Sequence, residues 1–474
     1  MNQWTLSEIL KATKGWLIQG LLDNVVEGIS IDSRSTKAGE CFVAIKGPHH
    51  DGHRFIPEVL EHGARAIVAT EEFYDDYAVT ADEKVSFISV KNTHKALGEL
   101  GAWRRQKMGI PLIAITGTNG KTTTKEMTAA VLGESFNVLA TAGNFNNLIG
   151  VPLTLLRLTE SHELAVLEFG MNVPGEIKTL TEISKPDVGI ITNIGKGHLE
   201  GLKTVGGVMK AKGELFDGLG KGGFAIINMD DKRVRALGDR FRGPRLCYGI
   251  ESQKADIMAK DIRSESLGYS FKLETPTGTI RLTLPLAGRF NIYNALAAAA
   301  VGYFFKVPIQ KIRDCLEQTK PFDKRMQLIK LGNGVTVLND TYNANPESIS
   351  SAIDTLCTLR GDGQSIAVLG DMLELGDHSL GEHQEIGKQV ARSQISYLFV
   401  TGDFAHVTAQ SAVDAGMKPE RVLMRSREEI VSTLKEILAP HDWILVKGSR
   451  GMAMEKIVEE LVSFYGNPPF VTRN

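Results

Sequence analysis

Cysteine is scarce in this chain. Its four residues, Cys41, Cys247, Cys315 and Cys357, form no CxxC pair, which excludes a disulfide framework and a cysteine zinc site and fits a reducing compartment. Charge of one sign is also missing: Lys plus Arg number 54 against 56 Asp plus Glu, a formal net charge of -2. No overall basic field therefore draws the chain to nucleic acid or an anionic membrane, and any phosphate binding must be local. Long apolar runs are absent as well. The longest uncharged stretch, 135–156, contains four Asn and a Pro, unlike a bilayer-spanning helix of ~20 apolar residues. The opening segment lacks the apolar run of a signal peptide. These absences predict a cytoplasmic protein with neither a nucleic-acid nor a membrane partner.

What the chain has in excess is glycine, 48 residues in 474, as expected of many tight strand-to-helix turns. At ~150 residues per domain the length predicts about three domains, and the pattern divides accordingly. Residues 1–108 carry short β-type runs (CFVAI, ARAIVAT, VSFISV) and then a helical stretch, which predicts a small N-terminal α/β domain. Residues 109–322 alternate apolar strands (PLIAIT, LAVLEFG, VGIITNI, FAIINMD) with helices, a central P-loop domain on a parallel sheet. The alternating pattern of 255–286 predicts an antiparallel edge to it. Residues 323–474 hold five β-α units (VTVLND, SIAVLGD, ISYLFVTGD, RVLMRS, WILVKGS), predicting a C-terminal doubly wound, Rossmann-like sheet. Ligands of such sheets lie beyond the carboxyl ends of the strands.

The strongest chemical signal is Thr116-Gly117-Thr118-Asn119-Gly120-Lys121-Thr122-Thr123, between the strand PLIAIT and a helical run. Glycines let backbone N–H groups face a phosphate, the helix N-terminus adds partial positive charge, Lys121 reaches the outer phosphates, and Thr122 supplies a hydroxyl for Mg²⁺. The general P-loop pattern wants a glycine where Ile115 stands, so the motif is a variant. Glu168, at the end of LAVLEFG, is placed either as a strand-end Mg²⁺ carboxylate or as a buried or capping one; His198, alone, would read as a solvated loop residue.

GTNGKTT, together with IDSRSTKAGECFVAIKG, DGHRFI, GNFNNLIGVPLTLL, AKGELFDGL, DTYNANPES and LVKGSR, resembles the Mur ligase family across essentially the whole chain. The resemblance implies an ATP-dependent, amide-forming ligase of peptidoglycan biosynthesis. TYNANPES, where a sister ligase adding the third residue carries a DNP-type motif, favours the member that joins D-alanyl-D-alanine to UDP-N-acetylmuramoyl-tripeptide. The sister ligase and, in a different class, a non-catalytic nucleotide-binding protein are the alternatives; folylpolyglutamate synthetase is disfavoured by the IDSR and DGHRF features.

The resemblance further implies ATP and two Mg²⁺ ions, with metal ligands Thr122, Glu168, His198 and a carbamylated Lys212, and catalytic roles for Lys121, Lys212, Glu168 and His198. Lys212 is distinguished from Lys210 by the AK-GELF register, and a solvated helix face is its other reading. Nucleotide contacts fall on Gly117 to Thr123 and on Asn291 and Asn294, whose amides can pair with adenine. Arg325 and Asp340 join them, although Asp340 also suits a helix cap. Ser33 and Arg34 resemble the UDP contacts, and Asn144, Asn146 and Asn147, otherwise common turn residues, face the sugar-peptide. Tyr342, Asn343, Asn345, Lys447, Ser449 and Arg450 are expected to line the dipeptide site. The implied protein is a monomer.

Overall fold

The computed structural model describes residues 3–47, 50–76 and 85–466. Three large sheets organise the described residues, beside a two-stranded pair of Trp4–Thr5 with Val25–Val26. In the first, strands run in the order Trp16–Gln19, Ser86–Val90, Ala66–Thr70, Cys41–Val43, Ile29–Ser30; only the first pair is antiparallel. Its central strands are buried along all but the last residue of Ala66–Thr70, as parallel strands covered on both faces must be.

The middle sheet has nine strands. Leu112–Thr116 lies between Leu164–Glu168 and Val188–Ile191, all parallel, and every residue of the three is buried. Continuous apolar sequence (LIAIT, LAVLE, VGII) is what such a position selects. At the far side Ile257–Glu265, Gly268–Thr275 and Gly278–Leu284 pair antiparallel, where the sequence alternates. Helices Lys121–Gly133 and Phe290–Phe304 pack against each other across one face. The run Ala297 to Val301 is wholly buried there, and a Cβ on Gly302 would come 2.7 Å from Val131, so small residues set the close approach.

The third sheet runs Gln327–Lys330, Thr336–Asp340, Trp443–Lys447, Ser365–Gly370, Tyr397–Thr401, Val422–Met424. Its five parallel strands are those expected from the β-α repeats; the antiparallel edge strand Gln327–Lys330 is an addition, too short and mixed (QLIK) to stand out in sequence. One buried apolar cluster includes residues of both the second and third regions, among them Leu199 and Leu202 with Met372 and Leu375. The carboxyl ends of the third sheet thereby face the phosphate loop of the second.

Among the described residues no helix is long and apolar enough to cross a membrane.

Candidate functional site: a cleft between the phosphate loop and the third sheet

Between these regions opens a cleft of about 660 Å³. The loop after Leu112–Thr116 forms its floor. Gly117 takes φ +154° and Gly120, which precedes the helix Lys121–Gly133, takes φ +79°. An added Cβ at Gly117 would fall inside the radius of Thr192 Oγ1, and one at Gly120 inside that of Asn294 Oδ1, so both positions need glycine. The end of Val188–Ile191 braces the loop. Thr192 Oγ1 donates to Asn119 O at 2.6 Å, Asn119 N donates to Asn193 Oδ1 at 2.9 Å, and Thr118 N donates to Asn193 O at 3.0 Å. Lys121 Nζ is folded onto the loop carbonyls of Gly117 (3.0 Å) and Thr118 (3.1 Å), and burial lowers its pKa against the opposing pull of Glu168.

Beside the loop stand two groups with unmet bonding capacity. Glu168 is 2% exposed; its Oε1 accepts from Asn146 Nδ2 at 2.8 Å, while its buried Oε2 has no partner. Lys212 is 1% exposed, and burial, reinforced by the Lys121 charge, holds its pKa well below the lysine range. His198 sits at φ +54° with Nδ1 2.7 Å from Glu374 Oε2, and this contact lowers the Glu374 pKa. Among the described residues no three His, Cys, Asp or Glu side chains cluster as a metal cage. That sparse donor set suits Mg²⁺, which takes one or two carboxylates and completes its shell with phosphate oxygens and water.

The opposite wall belongs to the third sheet. Lys447, 2% exposed, donates to Asp340 Oδ2 at 2.5 Å and to Asn343 O at 2.9 Å. Arg325 lies over the Tyr342 ring at 3.7 Å and donates to Thr122 Oγ1 at 2.9 Å, so it spans from the third region to the phosphate loop. The Asn119 and Asn345 amides pair head to tail, at 2.7 and 3.3 Å, across the same gap. Asn345 also caps Pro346–Leu359 through its bond from Ser348 N. The two regions are thus in direct contact around the cleft.

Comparison with known proteins agrees with this arrangement. Residues 25–105 match the Mur ligase family catalytic domain, 115–302 the Mur ligase middle domain, and 324–450 the Mur ligase glutamate ligase domain. The UDP-N-acetylmuramoyl-tripeptide--D-alanyl-D-alanine ligase of Bacillus subtilis is 34% identical, covering 98% of this chain and 99% of the relative. The chain belongs to the Mur ligase family. The Escherichia coli protein of the same description is 35% identical over 96% of this chain and 98% of its own. Among solved structures, MurF from Acinetobacter baumannii superposes with a TM-score of 0.88 at 31% identity, covering 97% of this chain and 99% of that one. MurF from Thermotoga maritima, in complex with ADP, gives 0.80 at 28% identity, covering 92% and 97%.

Within this Mur ligase, Thr118 to Thr123, Asn146, Asn147, Glu168, His198, Asn291, Asn294, Arg325, Asp340, Tyr342, Asn343, Asn345 and Lys447 all line the cleft. Some arrive with their bonding groups already used. Thr122 Oγ1 is taken by Arg325. Asn294 Oδ1 accepts from Thr124 Oγ1 at 3.1 Å and its Nδ2 donates to Asn291 Oδ1 at 2.9 Å, while Asn291 Nδ2 donates to Ala287 O at 2.7 Å. The two amides thereby tie the helix Phe290–Phe304 to the helix that follows the phosphate loop. Gly117, Asn144, Lys212, Ser449 and Arg450 are not on the cleft surface. Lys212 lies buried, Ser449 Oγ accepts from Leu373 N at 2.8 Å, and Arg450 is exposed and paired with Glu455. Ser33 and Arg34 sit on the first domain away from this cleft, Arg34 paired with Asp32. The DGHRF turn is architectural: His53 Nδ1 meets Asp51 at 2.6 Å and Nε2 accepts from Thr70 N at 3.1 Å.

Residues not anticipated from sequence are Thr192, Asn193 and Asn228, which fix the phosphate loop, and Glu347 and Glu374, which reach the cleft from the third domain. The first two had a signal in TN after an apolar strand; the glutamates had none.

Proposed function

We propose that this Mur ligase joins D-alanyl-D-alanine to UDP-N-acetylmuramoyl-tripeptide at the expense of ATP. The observation that carries the reading is the shared cleft: the phosphate loop and the carboxyl ends of the third sheet face each other within hydrogen-bonding distance, through Arg325 to Thr122 and Asn119 to Asn345. A nucleotide held on one wall and an amine acceptor on the other would meet at a carboxylate between them.

Forming an amide in water is uphill, so ATP first phosphorylates the tripeptide carboxylate, and the dipeptide amine then attacks the acyl phosphate. Such transfer depends on positioning and charge neutralisation. Backbone N–H groups of 117–123 and the Lys121 ammonium, swung from the loop carbonyls, take the phosphates. Arg325, stacked on Tyr342, supplies a second cation from the other wall. The purine is assigned to the part of the cleft lined by Phe290, Asn291 and Asn294. The unpartnered Glu168 Oε2 and His198 would hold Mg²⁺, which would supply charge neutralisation for the transferred phosphoryl group. Burial and the Lys121 charge lower the Lys212 pKa well below the lysine range, which favours the free amine that carbamylation requires.

The acceptor dipeptide is assigned to the wall of Tyr342, Asn343, Asn345 and Lys447, with Arg450 and Ser449 supporting it behind. The UDP end is assigned to the first domain at Ser33 and Arg34, and the sugar-peptide to the loop of Asn144, Asn146 and Asn147. Seating the walls together keeps water from the acyl phosphate. The test is phosphate release from ATP with the UDP-linked tripeptide, with and without D-alanyl-D-alanine, and the product mass. Release that depends on the dipeptide and yields the pentapeptide is expected. Release with a single amino acid instead would move the protein to a sister ligase, and no release with any acceptor would leave only nucleotide binding.

A further inference from the structure

The segment 194–203 belongs to the middle domain, yet the third domain holds it at several points. Glu347 Oε1 accepts from Lys196 N at 2.8 Å, the Lys196 ammonium donates to Glu382 Oε1 at 2.6 Å, and Glu374 Oε2 lies 2.7 Å from His198 Nδ1. Glu374 O also accepts from Glu200 N at 2.9 Å, and His378 Nε2 lies 2.9 Å from Lys203 O. On its inner side the segment is tied to the phosphate loop, Gly195 N donating to Thr118 Oγ1 at 2.9 Å.

We propose that Glu347, Glu374 and Glu382 are positioning residues that set the segment carrying His198, so that the imidazole takes its place in the cleft only when the third domain is seated. The three carboxylates come from separate elements: the first turn of Pro346–Leu359, the loop after Ser365–Gly370, and the first turn of Ser379–Arg392. All converge on Lys196 to His198. His198 and Glu374 both hold left-handed backbone, φ +54° and +63°, a conformation that persists in non-glycine residues only where surrounding contacts impose it. The contacts around it here come from the facing domain, and the two on Lys196 are charge-assisted hydrogen bonds to the Glu347 and Glu382 carboxylates. Through Thr118 the same grip reaches the phosphate loop, so seating of the acceptor domain is felt on the nucleotide side of the cleft.

This rests on the ligase reading for the reaction assayed, but its structural arm does not. The experiment is a charge exchange: Lys196→Glu, Glu382→Lys and the two together, in the full chain. Each single change is expected to lower kcat about fivefold or more with the KM for ATP unchanged within about twofold, because the phosphate loop itself is intact. The exchanged pair remakes the contact in reverse and should recover kcat to within about twofold of the parent. Small-angle scattering of the nucleotide-free protein should show a larger radius of gyration for the singles and the parental value for the pair. Glu374→Gln, which keeps the shape and removes the charge, should lower kcat while leaving the KM for the UDP-linked substrate in place. Singles with parental kcat and radius, or an exchanged pair that recovers neither, would overturn the assignment. If the parent itself turns over no acceptor, the ligase reading fails and the scattering arm still decides the role of the three glutamates.

Discussion

Gly117→Ala tests the phosphate loop with one methyl group. The added carbon would overlap Thr192 Oγ1 and lie 3.1 Å from both Cβ and backbone N of Thr192. Thr192 cannot turn aside freely: its hydroxyl donates to Asn119 O at 2.6 Å, and its N–H is bound to Thr116 O at 2.9 Å in the sheet. Rotating the side chain loses about 1 kcal/mol of hydrogen bonding. Keeping it forces the loop off its φ +154° path, at roughly 1–3 kcal/mol of local strain. Either way the cost, about 1–3 kcal/mol, appears as ADP affinity reduced about 5- to 150-fold. Titration calorimetry with ADP measures it, with a thermal melt to verify that the protein remains folded. Thr192→Ala placed in the Gly117→Ala background removes the overlapping oxygen and should recover part of the affinity. Binding by Gly117→Ala within about threefold of the parent, or no recovery in the double variant, would refute the steric account.

Arg325→Ala should cost about 30-fold in kcat/KM, and Arg325→Lys should recover less than half of that, because an ammonium cannot both stack on Tyr342 and reach Thr122; equal activity of the two would contradict the role of the planar group. Lys447→Met leaves the part-buried Asp340 side chain without its ammonium partner, and should weaken exchange protection of Thr336–Asp340 and Trp443–Lys447 by about 1–3 kcal/mol, with Asp340→Asn in the same background restoring most of it. Hydrogen exchange reads both variants. Lys212 is held below the lysine range by burial and by the Lys121 charge, so the unfolded chain binds a proton there that the folded chain does not. Stability from this group therefore rises with pH from the folded value up to about 10.4. In CO₂-free buffer at pH 7, Lys212→Met should raise the melting temperature while abolishing turnover, and a lower melting temperature would contradict the electrostatic reasoning.

The phosphate loop could be read from sequence because its chemistry is local: glycines, a lysine and a helix start follow one another along eight residues. The five parallel strands of the third sheet were legible for a similar reason, each carrying a short apolar core of its own. Bracing residues were not. Thr192 and Asn193 meet Asn119 across more than seventy residues, and Glu347 meets Lys196 across 151, so nothing near either partner marks the pairing. Asn291 and Asn294 show a different limit. An amide that can pair with adenine can equally pair with a backbone carbonyl or a neighbouring hydroxyl, and the buried pair makes such bonds while lining the cleft. Lys212 could be picked from Lys210 only by register; the fold separates them by depth, since Lys212 is 1% exposed.

The helix Thr93–Met108 bears on how freely pieces of this protein could be exchanged with those of its relatives. Its inner residues Ala96, Leu97 and Leu100 share one apolar cluster with Trp4 and Val68 of the first sheet's domain and with Leu156 of the next. Its last turns are fastened to the middle sheet's surroundings by buried arginines, Arg104 to Leu158 O at 2.7 Å and Arg105 to Ser184 O at 3.0 Å, while Lys107 reaches back to Glu8 at 2.6 Å. The rod is common property of two modules. A chimaera joined at the flexible-looking Gly109 would tear the arginines from their carbonyls, and one joined at Asn92 would strip the first module of its packing. Exchange of the first module between family members therefore demands that its neighbour's docking surface, Gly150–Leu156 and the 158–187 carbonyls, travel with it or match it.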